Sequence, residues 1–146
     1  MKIYTIGFTQ KRAETFFNLL KQNNIQRVVD IRVNPTGQLS GFTQKGDLPY
    51  FLSRLVDGCE YVHIPELAPT KEILKDYRDD SDWTRYVVRF EALMDERRVP
   101  ECLDQSEFRN QVSCLLCSEP TAEKCHRRLV AERLAEHWSD VEIIHL

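Results

Sequence analysis

The sequence predicts an α/β fold, specifically a three-layer α/β/α domain with a mostly parallel sheet of about five strands. Short apolar segments rich in β-branched residues alternate along the chain with longer amphipathic segments. The stretches between successive apolar segments are long enough to hold the crossover that parallel strands require. The chain has 146 residues, about the size of one domain, so we expect a single α/β domain over residues 1–146.

Each predicted strand is a short apolar run followed by residues that end a strand. The first run stops at Gly7, and the second stops before Asn34-Pro35. Strands that alternate with helices form right-handed βαβ units, which make the sheet parallel and cover both of its faces. The strands are predicted at 2–6, 27–32, 60–64, 112–117 and 141–145.

The predicted helices carry apolar residues at helical spacing. In the first of them, Phe16, Phe17 and Leu20 fall on one side. The stretch 34–47 differs, because it is polar, contains three glycines and has no period. Loops of this length inside compact domains are usually functional or mobile. The helices are predicted at 12–24, 47–58, 70–78, 82–98 and 121–138.

The composition is that of a globular protein without a membrane segment. No run approaches the roughly 18 apolar residues of a membrane span, and the first residues are unlike a signal peptide, so we expect no membrane association and a cytoplasmic location. The net charge of -3 argues against a dominant basic surface for nucleic acid, but it permits a local cationic pocket. The five cysteines, an odd number, indicate free thiols in a reducing compartment.

The ends of the predicted strands carry most of the polar residues that could do chemistry. In open parallel sheets, ligands bind at the carboxyl ends of the strands. We therefore expect these residues to converge on one rim of the sheet. They are Gly7, Phe8, Thr9, Asp30, Arg32, Asn34, His63, Cys117, Ser118, Glu119 and His145.

Two cysteines lie close to the predicted junction of the fourth strand and the last helix. Cys117 closes the strand, and Cys125 lies near the start of the helix, beside His126 and Arg127. The helix dipole and these cations favour a thiolate, which nucleophilic or redox chemistry requires. Alternatively, Cys117 is a small buried apolar side chain. Zinc is a further alternative, but the spacing lacks the usual paired ligands, so we predict no metal and no cofactor.

The other strand ends each allow a functional and a structural interpretation. Asp30 and Arg32 project from the same side of the second strand, where they could line a pocket or pair with each other. The turn Gly7-Phe8-Thr9 could hold an anion on backbone N–H groups, although it lacks the spacing of nucleotide-binding glycine motifs. His63 belongs either to the site or to the core.

Several segments of the chain together resemble the DUF488 family of uncharacterised bacterial and archaeal proteins. They are YTIGFT (4–9), VVDIRVNP (28–35), EYVHIPELAP (60–69), LLCSEPTAEKCHRRLVAERL (115–134) and VEIIHL (141–146). The chain departs from the family pattern at two places. It has Thr36 where the family offers a serine, and it has Leu67-Ala68-Pro69 where the family has a Leu-Gly-type turn. The resemblance implies an α/β fold and a polar pocket, and no settled reaction. The family's elements fall on Gly7, Asp30, Arg32, Cys117, Glu119, Cys125, His126 and Arg127.

The leading functional prediction is a small enzyme that acts on an anionic small molecule or a nucleic-acid end carrying phosphate or sulfur. Its catalytic residues would be Cys117, Glu119, Cys125 and His126. Two alternatives stay open. One is a non-catalytic binding module in which Phe8 or Phe42 stacks on a base and the loop 34–47 acts as a lid; the other is a cysteine-based metal or redox switch. The residues predicted to bind substrate are Gly7, Phe8, Thr9, Asp30, Arg32, Pro35, Thr36, His63 and Arg127.

Overall fold

The computed structural model describes residues 1–146 and contains one five-stranded sheet. The strands are β1 (Lys2–Gly7), β2 (Arg27–Asp30), β3 (Glu60–His63), β4 (Ser113–Cys117) and β5 (Glu142–His145). Their order in the sheet is β3-β2-β4-β1-β5, and every neighbouring pair is parallel. The α/β/α fold predicted from the sequence is confirmed, and all five predicted strands are present.

Six α-helices connect the strands. They are α1 (Ala13–Gln22), α2 (Leu48–Leu55), α3 (Lys71–Asp80), α4 (Trp83–Glu96), α5 (Gln105–Asn110) and α6 (His126–His137). The sequence did not predict α5, which is too short to show a helical period. Part of the loop 34–47 forms a short 3-10 segment at Gln38–Thr43. None of the helices has the length and apolarity needed to cross a membrane.

Two apolar clusters hold the layers together, one on each face of the sheet. On one face, α1 and α2 pack against strand residues such as Ile6 and Val28. On the other face, α3 to α6 pack against strand residues such as Ile3, Val29 and Leu115. Because successive strand residues point to opposite faces, the apolar residues of β1 belong alternately to the two clusters.

The start of α6 was predicted wrongly, at residue 121. The helix begins at His126, and residues 118–124 instead form a turn that leads back to the end of β4. Two contacts hold this turn: the Thr9 N–H donates to the Ser118 carbonyl, and the Arg127 side chain donates to the Glu119 carbonyl. The late start places Cys125 at the N-cap of α6, close to Cys117.

The chain leaves the neighbouring strands β1 and β4 towards opposite faces of the sheet. After β1 it enters α1 in one layer, and after β4 it enters α6 in the other. Such a switch point opens a crevice at the carboxyl ends of the two strands, where ligands of open α/β sheets bind. Gly7 and Cys117 are paired in register at this point.

Candidate functional site

A cavity of about 960 Å³ lies at the carboxyl ends of the strands, and we call it the rim cleft. The loop after β2 forms one wall, the α3–α4 pair forms another, and the β4–α6 junction forms the floor. Seven of the predicted site residues line it: Phe8, Thr9, Arg32, Cys117, Glu119, Cys125 and His126. The other predicted residues, which lie outside the lining, are Gly7, Asp30, Pro35, Thr36, His63 and Arg127.

Three of the residues that line the rim cleft form a compact group of thiols and imidazole. Cys117 ends β4 and is 4% exposed, while Cys125 and His126 come from the start of α6. The Cys117 and Cys125 sulfurs and a His126 ring nitrogen all lie within 4.8 Å of one another. The turn at 118–124 creates this group, because it folds the start of α6 back onto the end of β4.

A backbone carbonyl fixes the protonation pattern of His126. Its Nε2 lies 2.7 Å from the Ile31 carbonyl oxygen, which can only accept, so Nε2 carries a proton and donates it. Nδ1 is then the nitrogen that can exchange a proton, and it lies 3.5 Å from Cys117 Sγ. The ring also packs edge-on against Phe90, with centroids 5.7 Å apart. His126 is thus held with its basic nitrogen beside a thiol.

The negative charge of this group lies on the Cys117 sulfur. The Cys125 thiol, which hydrogen-bonds to Cys117, and the adjacent His126 together hold the pKa of Cys117 well below its usual value despite burial. The same hydrogen bond, together with burial, raises the pKa of Cys125. Burial alone would lower the pKa of His126, but the negative charge on Cys117, the hydrogen bond to it and the hydrogen bond to the Ile31 carbonyl together outweigh burial, and the pKa is raised. The arrangement favours a Cys117 thiolate beside a His126 imidazolium.

The remaining cysteines have the opposite environment. Burial raises the pKa of Cys59 to about 12 and also raises that of Cys114, and both lie in the α1–α2 core. Cys102 is exposed, and its pKa is raised mainly by partial desolvation. Among the five cysteines, therefore, only Cys117 is set up as a thiolate.

Cys117, Cys125 and His126 are also the three residues that could hold a metal ion. Thiolates and imidazole suit zinc, and a backbone acceptor on the second ring nitrogen is common for a ligating histidine. However, Cys117 Sγ lies 3.5 Å from Nδ1 and 3.9 Å from Nε2. Because these distances are nearly equal, the sulfur does not lie along the Nδ1 lone pair, and a shared metal would require the ring to turn.

Asp30 and Arg32 form a buried ion pair with each other. Arg32 Nε and Nη2 donate to the two carboxylate oxygens of Asp30 at 2.9 and 2.7 Å, and the Tyr61 hydroxyl also donates to Asp30 at 2.6 Å. The guanidinium further donates to the Oγ1 and carbonyl oxygen of Thr43. Arg32 is 3% exposed and already occupied, so it fastens the loop 34–47 to the end of β2.

Gly7 and Arg127 support the floor of the rim cleft from outside it. Arg127 is 1% exposed and donates from Nη1 to the Glu119 carbonyl, while its Nε has no partner. A Cβ added to Gly7 would lie 1.7 Å from the Glu119 carbonyl oxygen and 2.3 Å from Arg127 Nη1. The absent side chain of Gly7 therefore leaves the space that the turn and the guanidinium fill.

The other predicted substrate contacts, Pro35, Thr36 and His63, belong to the loop after β2 and to the end of β3. His63 Nε2 lies 3.0 Å from the Arg32 carbonyl oxygen, and its Nδ1 lies 3.5 Å from Lys45 Nζ. Thr36 donates to the Asn34 side chain, and the Pro35 carbonyl accepts from the Lys45 N–H. These contacts order the loop, and a role of these residues in binding stays a prediction.

The sequence interpretation missed the wall that α3 and α4 contribute. It assigned no residue of these two helices to the site, yet several of them line the rim cleft. Lys71, Lys75 and Arg78 recur at helical spacing along one side of α3, a signal that could have indicated a cationic face. The missed residues are Lys71, Lys75, Tyr77, Arg78, Trp83 and Tyr86.

A comparison with protein-family models gives one match. The model described as "Domain of unknown function DUF488" matches residues 12–134, which include β2 to β4 and all but the last turn of α6. Neither the curated proteins nor the solved structures yield a match. The matched range contains Cys117, Cys125 and His126, whereas Gly7 and the residues after it, up to Lys11, precede it.

Proposed function

Since the chain belongs to the DUF488 family, whose description gives no activity, we propose its function from the geometry of the site. The protein is an enzyme that uses the Cys117 thiolate as a nucleophile on an anionic substrate. The observation that carries this proposal is the position of Cys117 Sγ beside His126, whose Nε2 is held by the Ile31 carbonyl at the floor of the rim cleft. A thiolate kept in this way needs no further activation before it attacks.

The proposed reaction is a displacement in two steps. The Cys117 thiolate attacks the electrophilic atom of the substrate and forms a bond to it, while the bond to the leaving group breaks and the leaving group departs with the electron pair and the Nδ1 proton of His126. Water then attacks the group held on Cys117, gives its proton to Nδ1 of His126 and releases the thiolate. The Glu119 carboxylate, which lines the rim cleft, can orient that water.

The charge of the rim cleft supports an anionic substrate. Glu119 is its only acidic lining residue, against five Lys and Arg side chains. Lys75 pairs with Asp79, but Lys71, Arg78 and Lys124 make no ion pair. A cluster of unpaired cations in a protein of net charge -3 attracts and concentrates anions at this place. A phosphate or another small anionic group fits this environment.

Aromatic side chains beside these cations support a substrate that also carries a ring. Trp83 stacks on Tyr86 with centroids 5.0 Å apart and an interplanar angle of 14°, and Tyr77 contacts both. Stacking surfaces next to cations recognise bases together with their phosphates. We therefore include nucleotides and nucleic-acid ends in the proposed substrate class. A cytoplasmic location, where thiols stay reduced, belongs to the same proposal.

The first test measures how fast Cys117 is alkylated. Because Cys117 is held as a thiolate, iodoacetamide should modify it at pH 7 at least about ten-fold faster than Cys102. Its pKa is lowered, so this rate should persist as the pH falls through the range where an ordinary thiol loses its charge, and decline only near the lowered pKa. Peptide mass spectrometry at several pH values measures both cysteines in one sample.

Two variants test whether His126 is the cause of the fast alkylation of Cys117. His126→Gln should reduce the Cys117 alkylation rate by about ten-fold at pH 7, because the imidazolium is lost. His137→Gln, at the exposed end of the same helix, is the matched control and should leave the rate unchanged. Equal alkylation rates for Cys117 and Cys102 in the native protein would contradict the nucleophile. An alkylated protein that still binds its anion with full affinity would favour the binding module instead.

A second test concerns the cations of the rim cleft. Lys124→Glu and Arg78→Glu should each weaken binding of phosphate or a nucleoside monophosphate about 3- to 10-fold, since each reverses one unpaired charge. Lys2→Glu makes the same change in net charge at the opposite end of β1 and should have no effect. Ligand-induced shifts of the melting temperature, with phosphate, sulfate, nucleotides and short oligonucleotides, measure this. A native protein that none of these ligands stabilises would count against an anion site.

A further inference from the structure

We infer that Cys117 and Cys125 form an oxidation site, in which a peroxide oxidises Cys117 and Cys125 then closes a disulfide with it. The two sulfurs and a His126 ring nitrogen all lie within 4.8 Å of one another, and Cys125 comes from the start of the helix that the turn at 118–124 folds back onto Cys117. The pair therefore needs only a local movement to reach bonding distance. Both residues line the rim cleft, which gives a small oxidant access to them.

The position of Cys125 in the helix supports a role for its thiol. It is the N-cap of α6, where Ser, Thr, Asp or Asn normally accepts a backbone hydrogen bond. The Cys125 side chain makes no capping hydrogen bond, and a helix without a capping side chain is less stable than one with it. A cysteine at this position therefore stabilises the helix less than a capping residue would. It does, however, place a second sulfur beside the Cys117 thiolate.

The proposed chemistry has two steps that balance. The Cys117 thiolate attacks one oxygen of hydrogen peroxide and becomes a sulfenic acid, while the O–O bond breaks and hydroxide leaves; the sulfur is oxidised by two electrons and the peroxide is reduced. The Cys125 sulfur then attacks the sulfenic sulfur, the S–S bond forms, and the sulfenic oxygen leaves as water with the Cys125 proton. A dithiol reductant returns both thiols.

The structure also explains why this pair would react and the other cysteines would not. Cys59 and Cys114 lie together in the α1–α2 core, where burial raises the pKa of both thiols. Cys102 is exposed, but partial desolvation and the nearby acidic residues Glu66 and Glu101 raise the pKa of its thiol despite the cation of Arg97. Peroxide reacts with thiolates, so oxidation is directed to Cys117.

The consequence for activity rests on the proposed function. If Cys117 is the nucleophile, the disulfide removes the attacking sulfur and switches the enzyme off reversibly. It also protects Cys117, because a sulfenic acid without a nearby thiol proceeds to the irreversible sulfinic acid. The disulfide itself is detected by mass, without any substrate, so the oxidation site and the proposed activity can fail separately.

The experiment treats the reduced, folded protein with a slight excess of hydrogen peroxide and removes the peroxide. The protein is then unfolded in denaturant, which exposes the buried Cys59 and Cys114, the remaining thiols are blocked with N-ethylmaleimide, and tryptic peptides are mapped. Cleavage after Lys124 separates the peptide 110–124, which contains Cys114 and Cys117, from 125–127, which contains Cys125. Fragmentation of the joined peptides between residues 114 and 117 then assigns the bond to one of the two cysteines. We expect these two peptides to be joined through Cys117, and three of the five thiols to be labelled in the intact protein. Dithiothreitol should restore all five labels.

Two variants complete the test. In Cys125→Ser, whose serine can cap α6, no disulfide should form and Cys117 should gain two oxygens as sulfinic acid. In Cys102→Ser, the matched control at an exposed position, the disulfide should form as in the native protein. Five labelled thiols after oxidation of the native protein would overturn the site. So would a disulfide between Cys59 and Cys114 in place of the bond between Cys117 and Cys125.

Discussion

Replacing Gly7 with alanine is expected to destabilise the protein by at least about 3 kcal/mol or to prevent folding. The new Cβ would lie 1.7 Å from the Glu119 carbonyl oxygen and 2.7 Å from its carbonyl carbon. These are backbone atoms of the turn after β4, so no side-chain rotation relieves the overlap. The turn must move away from β1, and the Arg127 guanidinium that lies 2.3 Å from the same point must move with it.

The turn connects Cys117 to Cys125 and His126, so its displacement should also lower the reactivity of Cys117. Urea denaturation measures the stability, and iodoacetamide reactivity of the folded fraction measures whether Cys117 keeps its environment. Gly46→Ala is the matched control, because no atom lies within 4 Å of its added Cβ, and it should change the stability by less than about 1 kcal/mol. Equal stabilities of the two variants would show that the turn adapts freely and would refute the close-packing role of Gly7.

The sequence was sufficient to predict the strands and the rim on which the site is built. Short apolar runs predict all five strands to within two residues at each end, and the largest difference is at β2, which was predicted to end at residue 32 and ends at Asp30. The rule that ligands bind at the carboxyl ends of parallel strands then predicted correctly that Arg32, Cys117 and Glu119 line one cavity. These predictions succeed because they depend on periodicity and on the general geometry of parallel sheets.

The partners of the buried charges could not be predicted in the same way. Arg32 and Arg127 were expected to attract an anion, but Arg32 donates to Asp30 and Thr43, and Arg127 lies against the Glu119 carbonyl beneath the cleft. Which of several nearby acceptors a guanidinium reaches is decided by distances between elements that are far apart in sequence. The start of α6 could not be predicted for the same reason, because contacts from Thr9 and Arg127 hold residues 118–124 as a turn.

The Asp30–Arg32 pair provides the last prediction. Asp30 is fully buried and accepts hydrogen bonds from the Arg32 side chain, the Arg32 N–H and the Tyr61 hydroxyl. Removing one partner of such a pair leaves the other charge buried and uncompensated, which typically costs about 3–5 kcal/mol. Asp30→Ala is therefore expected to lower the free energy of unfolding by this amount.

A double replacement separates the cost of an unpaired charge from the value of the pair. Asp30→Leu combined with Arg32→Met removes both charges and keeps apolar volume, so it should be less destabilised than Asp30→Ala by about 2 kcal/mol. Tyr61→Phe, which removes one hydrogen bond and leaves the ion pair, should lose only about 1–2 kcal/mol. Urea denaturation of the three variants measures these differences.

The same variants show whether Arg32 only fastens the loop or also binds the anion. Its guanidinium already donates to Asp30 and to Thr43, so the double variant should bind phosphate or a nucleotide within about three-fold of the native protein, provided that it is folded. A much larger loss of affinity in a stable double variant would show that Arg32 contacts the ligand directly. A loss of less than about 1 kcal/mol in Asp30→Ala would instead show that the pair is not the buried, mutually dependent unit that its contacts indicate.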